Sequence, residues 1–385
     1  MNSGDNNDIC FISDGYPYKG EAEFTFVAQL VEAIADTKTK CIVIAPQSIT
    51  RVFLSTKNKR PTMWKYKTDR GNEITVYQPL TLTFSRLRVF GESISYLFAR
   101  FKINKILNGL RKKPSVIYGH FWQNAYAGFP FAYKNRIPLF VATGESKIWI
   151  QSLTKFKDKD KFVSFLSGVI AVSTKNKEES IQLGLLKEDK CKILPNGIDK
   201  NKFYKKEQKL CREKLNFPQE VFVVCFVGAF IERKGVLRVN DAVNSLNDSS
   251  IKCLLIGKGE QEPEQTNLLF SGSLPHDKLV DYLNASDVFV LPTLNEGCCN
   301  AIVEAMACGL PVISSDRSFN HDILNDRNAI LVEPSDIGEI ANAIDKLKKD
   351  ASLRSMLSRN ALETAKDLSV EHRAKLIVEF IKEKL

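Results

Sequence analysis

The sequence predicts two doubly wound α/β domains in series, and three observations carry that prediction. Short apolar runs ended by Gly, Asn, Asp or Pro recur along the chain with helix-like stretches between them, the pattern of parallel sheets built from βαβ units. A length of 385 residues is more than one ordinary core organises. The turn LPNGID, residues 194–199, interrupts the pattern at mid-chain, since Pro195 and Gly197 break any element crossing it. The expected strands before the turn are DICFISDG, CIVIAP, EITVYQP, SVIYGH, PLFVATG and GVIAVST. After it they are VFVVCFVG, KCLLIGKG, DVFVLPT, PVISSD and AILVEP. At the carboxyl end Ala374, Ile377, Val378, Ile381 and Leu385 recur at helical offsets, so an amphipathic helix there must dock on something. The expected divisions are residues 1–195, 196–365 and a terminal helix over 366–385.

Composition narrows the class of function. With 44% hydrophobic and 26% charged residues the chain reads as soluble and globular. The polar start MNSGDNND and the lack of any apolar run of about 18 residues argue against a signal peptide or membrane span. Nine cysteines, an odd number without CxxC spacing and several inside apolar runs, fit buried thiols in a reducing cytoplasm. The adjacent pair Cys298-Cys299 lacks the histidine neighbours of a zinc site.

The net charge of +10 is uneven: residues 1–195 hold 30 Lys and Arg against 17 Asp and Glu, and the remainder 25 against 28. A base-rich first half points to a polyanion, either nucleic acid or an anionic membrane surface. Residues 84–113 concentrate the charge, mixing Arg86, Arg88, Arg100, Lys102, Lys105, Arg111, Lys112 and Lys113 with aromatics and a single acid, Glu92. They read either as a helix with a solvated basic face or as a surface lying on anionic lipid. No DNA- or RNA-binding motif is interleaved with the charge, so nucleic acid is not the expected partner.

Ligands of open α/β sheets lie beyond the carboxyl ends of the strands, so two such sheets facing each other would make a cleft walled by strand ends. One strand-end element is NEGCCNAIVEAMACGLPVISSD, residues 295–316. Glu296 falls in the loop after DVFVLPT, and Glu304 about one turn into a helix with Asn300 as its N-cap and Gly309 as its stop. Were the segment one helix, eight residues would separate the acids by roughly 12 Å of rise, too far to share a proton. They can hold two ends of an elongated ligand. Between them the amides of Gly297, Cys298 and Cys299 lead into a helix N-terminus, a phosphate site. A second element is VGAFIERKG, where Gly228 ends a strand and Arg233 and Lys234 precede Gly235. Those cations are either a solvated helix start or a diphosphate grip. Acid, amides, acid and cations together describe a site for a nucleotide diphosphate-sugar.

EGCCNAIVE with its two acids, ACGLPVISSD, VGAFIERKG, LPNGID and the GEAE of YKGEAEFTF together resemble the retaining glycosyltransferase family 4 of the GT-B fold. The resemblance runs over nearly the whole chain and is strongest from about residue 190 to 335. It implies two Rossmann-like domains facing across a cleft, the first binding acceptor, the second binding the nucleotide-sugar, with the last helix crossing back onto the first. Residue by residue it implies that Glu296 lies near the donor sugar, Glu304 holds ribose, Lys234 binds phosphate and His120 stands near the reacting sugar. Gly20 resembles the first glycine of a loop facing the diphosphate, and Ser271 lies in a segment near the base. Two departures stand out: Glu21 replaces the loop's second glycine, and Ala229 follows Gly228 where the family has arginine, a charge that Arg233 is placed to supply.

The activity implied is metal-independent transfer of a sugar from a nucleotide donor, UDP before GDP, to a lipid-linked glycan acceptor in cell-surface polysaccharide synthesis, without a cofactor. Attack on the front face, with a diphosphate oxygen taking the acceptor's proton, keeps the anomeric configuration and needs no nucleophile from Glu296. A phosphorylase or sugar-nucleotide epimerase on the same scaffold is the alternative.

Overall fold

The computed structural model describes residues 8–19, 21, 23–50, 59–84, 88–89, 92–148, 158–263 and 266–385. The chain divides into two compact units, Met1–Leu194 with Arg373–Leu385, and Pro195–His372.

In the first unit eight strands pair in the order Cys191–Ile193, Gly168–Ala171, Leu139–Thr143, Val116–His120, Asp8–Ser13, Lys40–Ile44, Glu73–Tyr77 and Met63–Lys67. The middle strands are buried on both faces: every residue of Asp8–Ser13, Val116–His120 and Leu139–Thr143 is inside. That is why they read as unbroken apolar runs rather than alternating ones. All six expected strands are present. Met63–Lys67 and Cys191–Ile193 were not expected; they are the two edges, the first antiparallel with side chains alternating between exposed and half-buried, the second half-buried throughout. The sheet reverses direction of growth between Asp8–Ser13 and Val116–His120, which pair in register from Ile9↔Val116 to Ser13↔His120. Helix Trp122–Asn135 covers one face through Trp122, Ala125 and Tyr126, and Gly119 lets it approach: a Cβ there would stand 2.3 Å from the Ala125 backbone.

In the second unit the order is Leu268–Gly272, Ile251–Ile256, Phe222–Val227, Val288–Leu291, Val312–Ser315 and Ala329–Val332, all parallel. Numbered along the chain this is 3-2-1-4-5-6, the doubly wound order, with its switch point between Phe222–Val227 and Val288–Leu291. The core joins Val224, Phe226, Leu254 and Val290 of the sheet to Ile302, Met306 and Ile344 of the helices.

The helix Val370–Glu383 buries Ala374, Ile377, Val378 and Ile381 as its spacing predicts, but Leu385, expected in the same stripe, is 61% exposed because it lies beyond the helix end. Phe380, between those positions, is buried instead and meets Phe140 of the first sheet at 6.1 Å. The preceding helix continues to Asp367, past the division expected at 365 and 366. None of the nine cysteines forms a disulfide. Among the described residues no helix is long and apolar enough to cross a membrane.

Candidate active site

The second unit gathers most of its candidate residues at the switch point. Strand Phe222–Val227 ends at Gly228, and the chain turns through Arg233, Lys234 and Gly235 into helix Val236–Ser245. Gly235 sits at φ +82°, and a Cβ on it would meet the Pro292 carbonyl at 2.9 Å. Strand Val288–Leu291 runs into Pro292, Thr293 and Glu296. The two strand-end loops are stitched together: Leu294 N donates to the Arg233 carbonyl at 2.8 Å, and Arg238 donates to that of Pro292 at 3.0 Å. Ser315, on the next strand, donates its hydroxyl to the Thr293 carbonyl at 2.5 Å. Each bond contributes about 1 kcal/mol, and together they fix the loops as one platform.

On that platform three donors converge on one oxygen. Glu296 Oε1 pairs with Arg233, lies 2.5 Å from Lys234 Nζ and accepts from Thr293 Oγ1 at 3.2 Å. Glu296 is 9% exposed, so its charge is held by these partners rather than by water. Its other oxygen, Oε2, receives no donor among the described residues. Burial alone would lower the Lys234 pKa, but the neighbouring Cys299, with Sγ 3.8 Å from Nζ, and Glu296 more than offset it and hold the ammonium above its ordinary range. Burial also raises the Cys299 thiol, against the pull of Lys234.

Helix Asn300–Ala307 follows at once. Asn300 is not its N-cap. The capping position is Cys299, and the Asn300 side chain accepts instead from Asn196 Nδ2 at 2.9 Å, which also donates to the Cys298 carbonyl at 3.1 Å. An asparagine from the LPNGID turn has claimed the oxygen a cap would use. Glu304, 7% exposed, projects from this helix, and Oε1 meets His276 Nε2 at 3.0 Å. That hydrogen bond raises the His276 pKa. Ser271 lies in the edge strand Leu268–Gly272, with its backbone in the ladder opposite Leu255. The glycines of IGKG have a local purpose: a Cβ on Gly257 would lie 1.8 Å from the Gly228 carbonyl oxygen, and one on Gly259 would lie 2.2 Å from that of Phe230.

In the first unit His120 ends its strand, 8% exposed, with its ring 5.6 Å from that of Phe26 and 4.4 Å from that of Phe121. Neither ring nitrogen has a hydrogen-bond partner. Burial, with Arg373 adding to it, lowers its pKa to about 3, so the imidazole is neutral. Gly20 lies outside the described residues. Glu21, which stands in place of a second glycine, is bound to Arg60 at 2.6 Å.

Sequence reasoning missed Asp14 and Glu145, which stand just past the carboxyl ends of the strands flanking and including His120's neighbours. Glu145 Oε2 accepts from Thr143 Oγ1 and the Gly144 amide, each at 2.8 Å. Withdrawal from water raises its pKa to about 7, against those hydrogen bonds and with help from Asp14. Both were reachable from the strand-end rule, since Asp14 lies at the end of the expected run DICFISDG and Glu145 directly follows PLFVATG. His276 had no such signal, because the strand before it was not expected.

Residues 207–364 match the family model described as glycosyl transferases group 1. TuaC of Bacillus subtilis (strain 168), named as a glycosyltransferase of teichuronic acid biosynthesis, is 25% identical over 373 residues, 92% of this chain and 93% of its own. The UDP-Gal:alpha-D-GlcNAc-diphosphoundecaprenol alpha-1,3-galactosyltransferase of Escherichia coli is 30% identical over 209 residues, 50% of this chain and 54% of its own. Sucrose-phosphate synthase from Thermosynechococcus elongatus shares the fold with a TM-score of 0.75 at 19% identity, over 98% of each chain. Residues 207–364 thus resemble the group 1 glycosyl transferases, and the two α/β units have the GT-B fold that this solved structure shares.

Proposed function

We propose that the protein is a retaining, metal-independent hexosyltransferase that moves a sugar from a UDP-sugar to a lipid-linked glycan in cell-surface polysaccharide biosynthesis. The second unit takes the donor and the first the acceptor. The observation that carries the reading is the convergence of Arg233 and Lys234 on Glu296 Oε1 at the switch point, ahead of the helix N-terminus at Asn300. A site with two cations and one carboxylate keeps a net positive charge for a diphosphate, while Glu296 Oε2 is left to accept sugar hydroxyls. As the bond to the leaving diphosphate breaks, Lys234, Arg233 and the amides of Gly297, Cys298 and Cys299 stabilise the growing negative charge more than they stabilise the ground state. A diphosphate oxygen receives the acceptor's proton.

Glu304 binds the ribose hydroxyls through the oxygen that His276 leaves open, and Gly228 and Ser271 border the nucleotide. His120 is a hydrogen-bonding neighbour of the reacting sugar, since a neutral buried imidazole with two unpartnered nitrogens can donate and accept but not serve as a cation. Gly20 belongs to the loop on the diphosphate side. The donor base and the lipid-borne acceptor are supported by the relative named for UDP-Gal and diphosphoundecaprenol, and the polysaccharide by the relative named for teichuronic acid. The enzyme works in the cytoplasm, in peripheral contact with the membrane that carries its acceptor.

Thermal stabilisation of wild type and Glu304→Ala by UDP, GDP and ADP tests the reading. A nucleotide at a hundred times its dissociation constant adds about 2.7 kcal/mol. UDP is expected to stabilise the wild type and much less the variant; no stabilisation by any nucleotide at millimolar concentration removes the donor site and the reading with it.

A further inference from the structure

The helix Ile94–Gly109 has two apolar sides. Tyr96, Ile103 and Leu107 are 7%, 1% and 1% exposed and face the core. At about 100° per residue they fall within about 40° of one another. Leu97, Phe98 and Phe101 form a second stripe centred about 150° away round the same helix. They are 37%, 38% and 63% exposed. The first stripe explains why the helix docks; the second joins no core cluster among the described residues.

The charges around that second stripe say what covers it. No Asp or Glu occurs between Ile94 and Lys113, while Arg100, Lys102, Lys105, Arg111, Lys112 and Lys113 all do. Lys112 pairs with Asp8 at 3.1 Å, and the Arg100 guanidinium lies over the Tyr126 ring at 4.8 Å. Among the described residues Lys102, Lys105, Arg111 and Lys113 take part in no salt bridge, so their charge faces outward uncompensated. Arg86 lies outside the described residues. A stripe of bulky apolar side chains bordered by long cations and free of acids matches the boundary between anionic headgroups and acyl chains. The rings enter the apolar layer while the lysine stems snorkel to phosphate.

We propose that this outer face of helix Ile94–Gly109, with the basic turn that follows it, is a membrane-docking surface, with Leu97, Phe98 and Phe101 inserted among acyl chains and Lys102, Lys105, Arg111 and Lys113 on anionic headgroups. It deepens the reading of a lipid-borne acceptor and rests on it for its purpose. Its test uses neither nucleotide nor acceptor, so the two fail separately.

Flotation of the full chain with vesicles of phosphatidylcholine, with and without phosphatidylglycerol, at low and high salt, tests it. Wild type is expected to bind the anionic vesicles at least about tenfold more tightly than the neutral ones and to weaken with salt. Phe101→Ser, at an exposed position that leaves the core intact, is expected to weaken anionic binding about tenfold, and Lys102→Glu with Lys105→Glu to abolish it. Failure of wild type to float with anionic vesicles at low salt overturns the proposal. So does binding that Phe101→Ser leaves unchanged, which would make the face a general polyanion surface with no insertion.

Discussion

Lys234 Nζ lies 2.5 Å from Glu296 Oε1, across 62 residues of sequence and two strand-end loops. Arg233 and Thr293 share the same oxygen. The carboxylate orients both cations at the switch point of the second sheet without cancelling their combined charge. Under the proposed function, a diphosphate arriving there would meet cations already held in place, which is the arrangement that favours a charge developing late in a reaction.

Lys234→Ala is therefore expected to lower kcat and kcat/KM together by more than about tenfold, at least about 1.4 kcal/mol of transition-state stabilisation. Loss confined to KM would mean that Lys234 binds donor and transition state alike. Steady-state kinetics with the donor identified by thermal stabilisation separates the two, and a change of less than tenfold removes the assignment.

The His276 bond to Glu304 makes stability depend on pH. Its folded pKa is raised above the ordinary 6.5, first by the hydrogen bond to Glu304 and against partial burial, with Lys202 opposing and Asp277 adding. A raised histidine stabilises fully below its unfolded value, and the effect is lost as pH climbs through the folded one. The Tm advantage of wild type over His276→Gln should be largest below about pH 6.5 and shrink as pH rises through the folded value. An advantage that is flat across this window, or that grows with pH, would show that His276 does not carry the charge.

Glu145 titrates with a consequence of the same sign, in a window that starts lower. Withdrawal from water lifts its carboxyl from 4.5 to about 7, so the folded protein holds a proton that the unfolded chain has lost. Stability then falls as pH rises from about 4.5 through about 7. Glu145→Gln, which keeps the shape and cannot ionise, should flatten that slope, and the difference in Tm between the two proteins measured from about pH 5 to about pH 8 checks it. Equal slopes would mean that the carboxylate is already charged at the lower pH.

Much of this was legible in the sequence because parallel strands buried on both faces leave unbroken apolar runs, as in FVVCFV and ICFI. The strands of the two large sheets that escaped are edges: MWKYK alternates with lysine, and CKI and LLFSG are only half-buried. Glu296 and Glu304 could be found by spacing within one segment. Their partners could not, since Arg233 meets Glu296 only through loop-to-loop hydrogen bonds, and Asn196 reaches Asn300 over 104 residues. Such contacts are set by packing of the finished sheet, and no local pattern encodes them. The helix cap shows the cost: Asn300 has the right side chain for a cap, but a distant asparagine binds it first.

The glycines give the sharpest reversal. Gly228 ends the strand below Lys234, yet a Cβ on it would have its nearest neighbours at 3.3 Å from the Phe226 ring and 3.5 Å from Lys234 Cδ. Gly257, part of an unremarkable IGKG, has φ +157°, and a Cβ there would lie 1.8 Å from the Gly228 carbonyl oxygen, a backbone atom that cannot rotate away. Gly228→Ala should therefore cost under about 1 kcal/mol, within the range of a tolerated substitution, whereas Gly257→Ala should cost about 3 kcal/mol or more. Because the displaced atom belongs to the loop carrying Arg233 and Lys234, Gly257→Ala should also weaken the nucleotide's thermal stabilisation at a temperature where the variant is still folded. Denaturant unfolding of both variants decides the first point; equal midpoints would mean that the Gly228 loop moves aside freely, and the platform under Lys234 would then be softer than its hydrogen bonds require.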